Sequence, residues 1–261
     1  MKKLFAYSIM LILTTFMIAA CSNSTDPGNE GRIKINLVDA PATLDSVIID
    51  VVRVEVHKTG SGEEDGWIVV NEVNKKYDLL KLTNGASAVL GDAPLAVGKY
   101  TQVRLVLGTD NYLYDNGVKY NLTVPSGQQT GIKLNHNFDI EADNLYEFYL
   151  DFNADKSINI TGTGEYKLSP VIRIEAVVTS GSISGQVLPL EAQAKVWTVA
   201  GTDTLTTYPD SLGNFKLVAV PGGTYNVYLT PAATGFQQKI INDVIVTPQT
   251  NTDLGTITLT P

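Results

Sequence analysis

Cysteine and histidine are scarce in this chain of 261 residues, which contains one cysteine and two histidines. A single cysteine excludes a disulfide framework, so the stability of the fold must come from burial of apolar side chains. His57 and His136 are the two imidazoles available as general bases, and neither belongs to an H-E-x-x-H motif. Walker, Rossmann and Cys/His zinc motifs are also missing. The enzyme classes that short motifs identify are therefore excluded.

Basic residues are outnumbered, with 19 Lys and Arg against 27 Asp and Glu. The positive charges lie singly between acidic ones, whereas nucleic-acid binding needs clustered Lys and Arg, so the sequence predicts no nucleic-acid partner.

No convincing helical period exceeds three turns. Val, Ile, Thr and Tyr dominate beside 22 glycines and 11 prolines, which favours strands and turns. The prediction is an all-β protein.

The N-terminus has the pattern of a lipoprotein signal peptide. Lys2 and Lys3 precede the apolar run from Leu4 to Ile18, and Ala19-Ala20-Cys21 completes a lipobox. It resembles bacterial lipoprotein signals and predicts a signal peptide over 1–20 with a lipidated Cys21. Ser22 after the cysteine implies, by the same resemblance, anchoring in the outer membrane with either face possible. The alternatives are an ordinary signal peptide or an uncleaved membrane anchor.

Removal of residues 1–20 leaves 17 basic and 27 acidic residues, a net charge of −10. The polar stretch 21–31 then predicts a short flexible tether. Residues 32–179 predict one β-sandwich, because apolar residues alternate with polar ones in short segments separated by Gly, Asn, Asp or Pro turns. Two of these segments, 67–70 and 77–82, are predicted as separate strands. A short helix is expected somewhere in 79–90. The pattern restarts near Gly181, so residues 180–261 predict a second sandwich. Its seven strands are expected over 181–188, 194–198, 203–208, 214–220, 223–231, 237–246 and 252–259.

Ordered segments of the first unit resemble the family called domain of unknown function 4382, over roughly 31–177. They are Val38-Asp39-Ala40-Pro41-Ala42, Val54-Glu55-Val56-His57, Asp78 to Gly85, Gly98 to Leu105, Pro125 to Leu134, Asp151 to Ile158 and Tyr166 to Arg173. This resemblance implies a β-sandwich and no established activity.

The second unit is similar to carboxypeptidase regulatory-like or transthyretin-like domains. The resemblance is carried by Ile183 to Val187, Asp210 to Leu217 and Val220 to Val227. Within it, Asp210 and Gly213 predict a tight turn that leads into a strand. Such domains accompany others as spacers or binding modules, which the resemblance implies here without naming a ligand.

Two surface features are candidates for ligand binding. The first is the polar loop 125–131, where Ser126, Gln128 and the neighbouring Lys133 could contact an anionic or hydroxylated ligand; the alternative is a plain hairpin connection. The second is Tyr112 with Tyr114, which polar residues flank at a predicted loop tip and which could bind a sugar ring. Trp67, Trp197, Tyr208 and Tyr228 are further aromatic residues that could pack inward or form such a platform.

Asp151, Asn153 and Asp155 have the alternate spacing that opens a calcium loop. Lys156 and Gly162 stand where that loop needs glycine and glutamate, so the favoured interpretation is a turn at the end of a strand, with no metal and no cofactor.

Together these observations predict a non-catalytic cell-envelope lipoprotein that acts as a binding or scaffolding module. The membrane would be contacted through the N-terminal lipid, and a glycan or an envelope protein would be the partner. The alternatives are a carbohydrate-binding surface lipoprotein and an envelope hydrolase. The hydrolase requires His57 or His136 to face a cleft with a Ser or Asp within hydrogen-bond reach.

Overall fold

A computed structural model describes residues 29–40, 42–63, 65–125 and 130–261. The predicted signal peptide 1–20, the lipidation site Cys21, most of the tether 21–31, and the loop residues Ser126 and Gln128 lie outside these ranges. The described residues form an all-β protein, which confirms the fold class predicted from the sequence. Across these ranges, no helix has the length and apolar character needed to cross a membrane.

Twelve strands build the first sandwich. They are β1 (Glu30–Ala40), β2 (Ser46–Lys58), β3 (Trp67–Asp78), β4 (Ala88–Ala96), β5 (Gly98–Leu107), β6 (Tyr112–Asp115), β7 (Val118–Thr123), β8 (Ile132–Ile140), β9 (Leu145–Asn153), β10 (Ile158–Ile160), β11 (Tyr166–Leu168) and β12 (Ile172–Ala176). One helical turn, α1 (Ala154–Ser157), follows β9, and 3₁₀ turns occupy Leu79–Lys81 and Val177–Thr179.

These strands form two sheets. The smaller has the order β12-β9-β1-β4, and the larger has the order β10-β11-β7-β6-β2-β5-β8. Strand β3 also belongs to the larger sheet and pairs with β2 on the edge opposite β5. Strand β1 pairs parallel to β9 from Arg32 opposite Leu145 to Ala40 opposite Asn153, and antiparallel to β4 on its other edge. Inward residues at period two, such as Ile33, Ile35 and Leu37, fill the hydrophobic core between the sheets.

Seven strands build the second sandwich around a separate hydrophobic cluster. They are β13 (Ser180–Leu188), β14 (Ala194–Ala200), β15 (Asp203–Thr207), β16 (Asn214–Pro221), β17 (Gly223–Pro231), β18 (Lys239–Val246) and β19 (Asn251–Thr258). Their sheets have the orders β16-β13-β19 and β15-β14-β17-β18, and a 3₁₀ turn occupies Leu190–Ala192. The division into two independent domains at 179 and 180 stays a prediction.

The predicted turn at Asp210 is confirmed. Asp210 Oδ1 accepts hydrogen bonds from the backbone N–H groups of Leu212 (2.8 Å) and Asn214 (2.9 Å), and these bonds hold the pKa of the carboxyl below its ordinary value. Gly213 closes the turn at φ +85°, where a Cβ would lie 2.5 Å from the carbonyl oxygen of Val187. Glycine is therefore required at this position.

One local prediction for the first sandwich is confirmed and two need correction. The short helix expected in 79–90 is present as the 3₁₀ turn Leu79–Lys81, and β4 begins at Ala88. The predicted strands 67–70 and 77–82 are replaced by the continuous β3, because β2 pairs with it along its whole length. Tyr112 and Tyr114 lie on β6 rather than at a loop tip, since the turn of this hairpin falls at Asn116 and Gly117.

Candidate functional site

The two sandwiches meet at the free edge of β16. This strand pairs with β13 on one side alone, which leaves backbone groups on its other edge to find partners. Asn84 of the first sandwich supplies them: its Nδ2 donates to the carbonyl oxygen of Asn214 at 3.1 Å, and its Oδ1 accepts from the N–H of Lys216. Asn84 has a positive φ of 55°, a conformation that asparagine tolerates better than most residues.

Arg173 makes the second polar connection between the sandwiches. It lies opposite Asp151 in the β12–β9 pair and donates from Nη2 to Asp151 Oδ2 at 2.9 Å. The same nitrogen donates at 2.8 Å to the carbonyl oxygen of Ala219, on the edge of β16. Ala219 is buried and has a φ of +54°, a strained conformation for alanine. The Arg173 contact and the buried surroundings hold this conformation in place.

The sequence candidates Asn153 and Asp155 lie beside this junction. Asn153 Oδ1 accepts the N–H of Lys156 at 2.9 Å and so caps α1, while Asp155 is exposed in the same turn. Asp151 is engaged with Arg173. The three side chains therefore do not converge as ligands of a calcium loop. Among the residues that the structure describes, no group of three or more His, Cys, Asp or Glu could hold a metal ion.

An open cleft adjoins the junction, and we call it the junction cleft. One part has a volume of about 380 Å³ and is lined by both sandwiches, through Ala40, Ala42, Thr43, Asn153, Asp155, Lys156, Lys195, Thr204, Thr206 and Tyr208. A neighbouring hollow of about 460 Å³ shares Thr43 and Tyr208 and has a more apolar wall that includes Val187, Pro189, Leu190, Ala194 and Pro209. Cavities of this size at the meeting of two units are typical of small-ligand sites.

Tyr208, like Thr43, lines both parts of the junction cleft, and it contributes the aromatic ring there. It is 36% exposed, and partial burial with the nearby Asp155 carboxylate raises the pKa of its phenol above the ordinary value. Two residues of β15, Thr204 and Thr206, point to the same side, whereas Leu205 and Thr207 alternate into the interior. The cleft thus combines an aromatic ring with hydroxyl, carboxylate and ammonium groups.

Tyr112 and Tyr114 form a separate patch on the larger sheet of the first sandwich. Their ring centroids are 6.0 Å apart in an edge-to-face arrangement, and Lys119 Nζ lies 3.7 Å from the centroid of Tyr112. The lysine therefore already covers one face of the Tyr112 ring. Tyr114 is 37% exposed. A sugar could therefore stack on the Tyr114 ring, but the two tyrosines do not form a platform of two open rings.

Lys133 belongs to a polar and aromatic cluster on β2, β3, β5 and β8. Its Nζ lies 5.9 Å from the centroid of the Trp67 ring, and the guanidinium carbon of Arg104 lies 4.0 Å from the same centroid. Arg104 also pairs with Glu55, whose other oxygen accepts from Arg53 Nε at 2.7 Å. Lys133 is thus part of an assembled cluster.

Both histidines are held by structural contacts. Nδ1 of the buried His57 lies 3.2 Å from Thr101 Oγ1, and its Nε2 lies 3.0 Å from the carbonyl oxygens of Gly62 and Asp65. His136 packs against Phe138 and Phe148, and burial lowers the pKa of its imidazole. Neither histidine lines the junction cleft.

Sequence reasoning named Tyr208 among several aromatic residues but did not associate it with Asn153 and Asp155. The available signal was the period-two alternation of Thr204 and Thr206 on the outer face of β15, with Tyr208 directly after the end of the strand. Nothing in the local pattern showed that this face would lie against the turn after β9, because the approach depends on the contact between the two sandwiches.

Solved structures that this chain matches include an interface mutant of a type II cohesin–X-dockerin complex from Acetivibrio cellulolyticus (25% identity over 30% of this chain, TM-score 0.25). The chain spans 56% of the matched chain in that complex. The shaft pilin SpaA from Lactobacillus rhamnosus GG (10% identity, TM-score 0.25) matches over 90% of this chain and 98% of its own. The minor pilin GBS52 from Streptococcus agalactiae (10% identity, TM-score 0.23) matches over 87% of this chain and 95% of its own.

A search of the curated proteins found no match. The family model for the domain of unknown function DUF4382 matches residues 30–170, which span β1 to β11 and the turns between them. This match covers more than half of the chain and agrees with the resemblance seen in the ordered sequence segments. The chain therefore belongs to the DUF4382 family.

Proposed function

We propose that this protein is a non-catalytic lipoprotein of the bacterial cell envelope, and that it binds a small polar ligand in the junction cleft. The observation that carries the binding role is the pair of adjoining hollows of about 380 and 460 Å³, which share the exposed ring of Tyr208. Binding surfaces on rigid β-sandwiches commonly lie where loops of two units meet.

The contacts of the histidines support a binding role over hydrolysis. The ring of His57 is occupied by a threonine hydroxyl and two carbonyl oxygens, and the ring of His136 packs among phenylalanines. A serine hydrolase would need an imidazole beside a nucleophile at an open cleft.

The proposed location in the cell envelope rests on the lipobox that ends at Cys21. We propose that the mature protein is acylated there and held in the outer membrane. Metabolic labelling with a palmitate analogue tests this proposal in the full chain. Label on the wild type, together with its loss and release of the protein to the soluble fraction in Cys21→Ser, is the expected result. Equal labelling of both proteins would refute lipidation at this residue.

Carbohydrate is the second part of the proposal, and it is favoured by the composition of the junction cleft. Aromatic rings pack against the apolar faces of sugars, and sugar hydroxyls bond to carboxylate, ammonium and hydroxyl groups. Tyr208 supplies the ring, while Asp155, Lys156, Lys195 and the two threonines of β15 supply the polar groups.

A glycan array with the detergent-solubilised full chain tests the carbohydrate proposal. We expect wild-type binding to be lost in Tyr208→Ala, with an unchanged melting temperature because the ring is partly exposed. Tyr114→Ala is the matched control, since Tyr114 has nearly the same exposure but lies on β6. Loss in the control alone would transfer the site to the Tyr112 and Tyr114 patch, and a blank wild-type array would refute a carbohydrate ligand of the classes displayed.

Scaffolding remains compatible with this proposal if the ligand is part of an envelope protein. Affinity purification of the full chain from intact envelopes, compared with the Tyr208→Ala variant, tests that form of binding. A partner retained by wild type and lost by the variant would place the contact at the junction cleft.

A further inference from the structure

The outer face of the four-stranded sheet in the second sandwich continues from the junction cleft. In the antiparallel pair of β14 and β15, Trp197 lies opposite Thr206, which lines the cleft. Lys195 lies two residues before Trp197, on the same face of β14, and it also lines the cleft, as does Tyr208 after the end of β15. One wall of the cleft is therefore the margin of this sheet face.

Two stacked aromatic rings lie on this face next to the cleft. Trp197 is also opposite Tyr228 of β17, and Tyr228 is opposite Ile240 of β18. The ring centroids of Trp197 and Tyr228 are 4.2 Å apart, with an angle of 13° between the ring planes. These three residues and Thr206 form one row across four strands, which spans three strand spacings or roughly 14 Å. Both rings are half-buried and Ile240 is 46% exposed, so the row is open to solvent.

A hydroxyl group beside the row is oriented by its neighbours. Thr230 Oγ1 accepts hydrogen bonds from Trp197 Nε1 at 3.0 Å and from Gln238 Nε2 at 2.9 Å. A hydroxyl has two lone pairs and one O–H group. Because both lone pairs of Thr230 Oγ1 are occupied, its O–H is the group that remains to donate to a ligand. The bond from Nε1 also fixes the orientation of the indole ring.

The composition of the row favours a saccharide as its ligand. Aromatic rings pack against the apolar faces of sugars, and sugar hydroxyls exchange hydrogen bonds with hydroxyl and amide groups. Both kinds of group lie side by side here, as they do in the cleft, and Thr206 belongs to both regions. The centre of a protein–protein interface is depleted of charged residues, whereas Lys195 lies directly beside Trp197 on this face.

We propose that the ligand of the junction cleft is an oligosaccharide, and that its chain continues from the cleft over Trp197 and Tyr228. One end of the chain would lie against Tyr208, so the extended site depends on the carbohydrate site proposed for the cleft. The row is longer than a single sugar ring, and each additional unit that reaches it would contact an aromatic face. A monosaccharide would contact the cleft alone.

The test measures affinity against chain length with the detergent-solubilised full chain. The probes are linear oligomers of glucose, of mannose and of N-acetylglucosamine, each from a monomer to a long oligomer, on one glycan array. Calorimetric titration of the series that binds then gives the affinities. We expect the affinity of the wild type to rise about tenfold from the shortest to the longest oligomer, because the aromatic contacts add to the free energy of binding.

Trp197→Ala should remove this rise and leave binding of the shortest oligomer unchanged, whereas Tyr208→Ala should remove binding at every length. If Trp197→Ala does not fold, Ile240→Ser replaces it, because Ile240 is exposed at the end of the row, and it should weaken binding of the longest oligomer about threefold. Ile245→Ser is the matched control, since Ile245 is 65% exposed on the same strand but lies opposite Thr224, outside the row. This control should keep the wild-type rise.

Equal affinity at every length in the wild type would overturn the extended site and leave the carbohydrate site in the cleft standing. An undiminished rise in Trp197→Ala, or in Ile240→Ser where it is the variant used, would do the same. A blank wild-type array would refute both sites together. If the array is blank and affinity purification from intact envelopes yields a protein that binds the wild type and Ile245→Ser but not Trp197→Ala, the face binds a protein and the oligosaccharide is excluded.

Discussion

Two buried acidic residues of the first sandwich have opposite surroundings. Glu55 is 4% exposed, and both of its oxygens accept hydrogen bonds, from Arg53 and Arg104. Asp39 is 7% exposed, and one of its oxygens has no partner. Burial alone would raise the pKa of Glu55, but the two arginines lower it below the ordinary value, whereas burial dominates for Asp39 and its pKa rises. The Glu55 cluster is saturated, because both carboxylate oxygens have hydrogen-bond partners, and its role is structural. The Asp39 carboxylate has one oxygen that can accept a further hydrogen bond.

The largest effect is expected from breaking the saturated cluster. Glu55→Ala leaves two guanidinium groups without their carboxylate, one of them buried, and should lower the free energy of unfolding by about 3–5 kcal/mol. Urea denaturation measures the loss. Glu72→Ala on the adjacent β3 removes an exposed carboxylate and should change stability by less than about 0.5 kcal/mol. A small effect of Glu55→Ala would mean that the cluster is not a structural element.

Arg173→Ala should have the next largest effect. It removes the partner of Asp151 and the contact to the carbonyl oxygen of Ala219, each a hydrogen bond from a charged donor, with an expected cost of about 2–3 kcal/mol. Because the second bond joins the two sandwiches, limited proteolysis between β12 and β13 should become faster. Unchanged cleavage would show that Asn84 alone holds the junction.

The dependence of stability on pH should differ in sign between the two carboxyls. Asp39 has a raised pKa in the folded state, so its contribution is present below its ordinary value of 3.8 and is lost as pH rises through the folded pKa. Glu55 has a lowered pKa, so its contribution is present above 4.5 and is lost as pH falls. Thermal unfolding from pH 3 to 8 should show that Asp39→Asn flattens the upper branch and Glu55→Gln flattens the lower one. The same change from both variants would contradict the contrast.

The smallest effects come from two buried threonines of the second sandwich. Thr198 Oγ1 donates to the carbonyl oxygen of Asn226 at 2.9 Å, whereas Thr207 Oγ1 has no partner. Thr198→Val should cost about 1 kcal/mol, and Thr207→Val should cost nothing or stabilise by a few tenths of a kcal/mol, because it removes an unsatisfied hydroxyl. Equal costs would show that Thr207 has a hydrogen-bond partner, such as an internal water.

The second sandwich was the more predictable of the two from sequence. Each of its seven strands was located within two residues, because period-two alternation and turn residues mark every boundary and no long insertion interrupts the pattern. The Asp210 turn was also predicted, since a carboxylate that accepts N–H bonds from the residues after it is a local feature.

The first sandwich and the junction depend on contacts that local sequence does not encode. Strand β4 contains Gly91 and Pro94 and lacks clear alternation, and its pairing with β1 fixes it as a strand. Asp39 was part of a motif that carried the family resemblance. The sequence did not show that one of its carboxylate oxygens is buried without a hydrogen-bond partner, because that depends on how β9 and β15 pack beside it. The candidate residues Asn153 and Tyr208 are brought together in the same way, by packing between sandwiches.

The position of β1 has a mechanical consequence. This strand begins at Glu30 and lies in the interior of its sheet, with β9 parallel on one edge and β4 antiparallel on the other. A pull on the chain before Glu30 is directed along the strand, so it loads the hydrogen bonds to both neighbours in shear instead of opening them one by one. A protein tethered through that segment would therefore resist extraction by force better than one held through an edge strand.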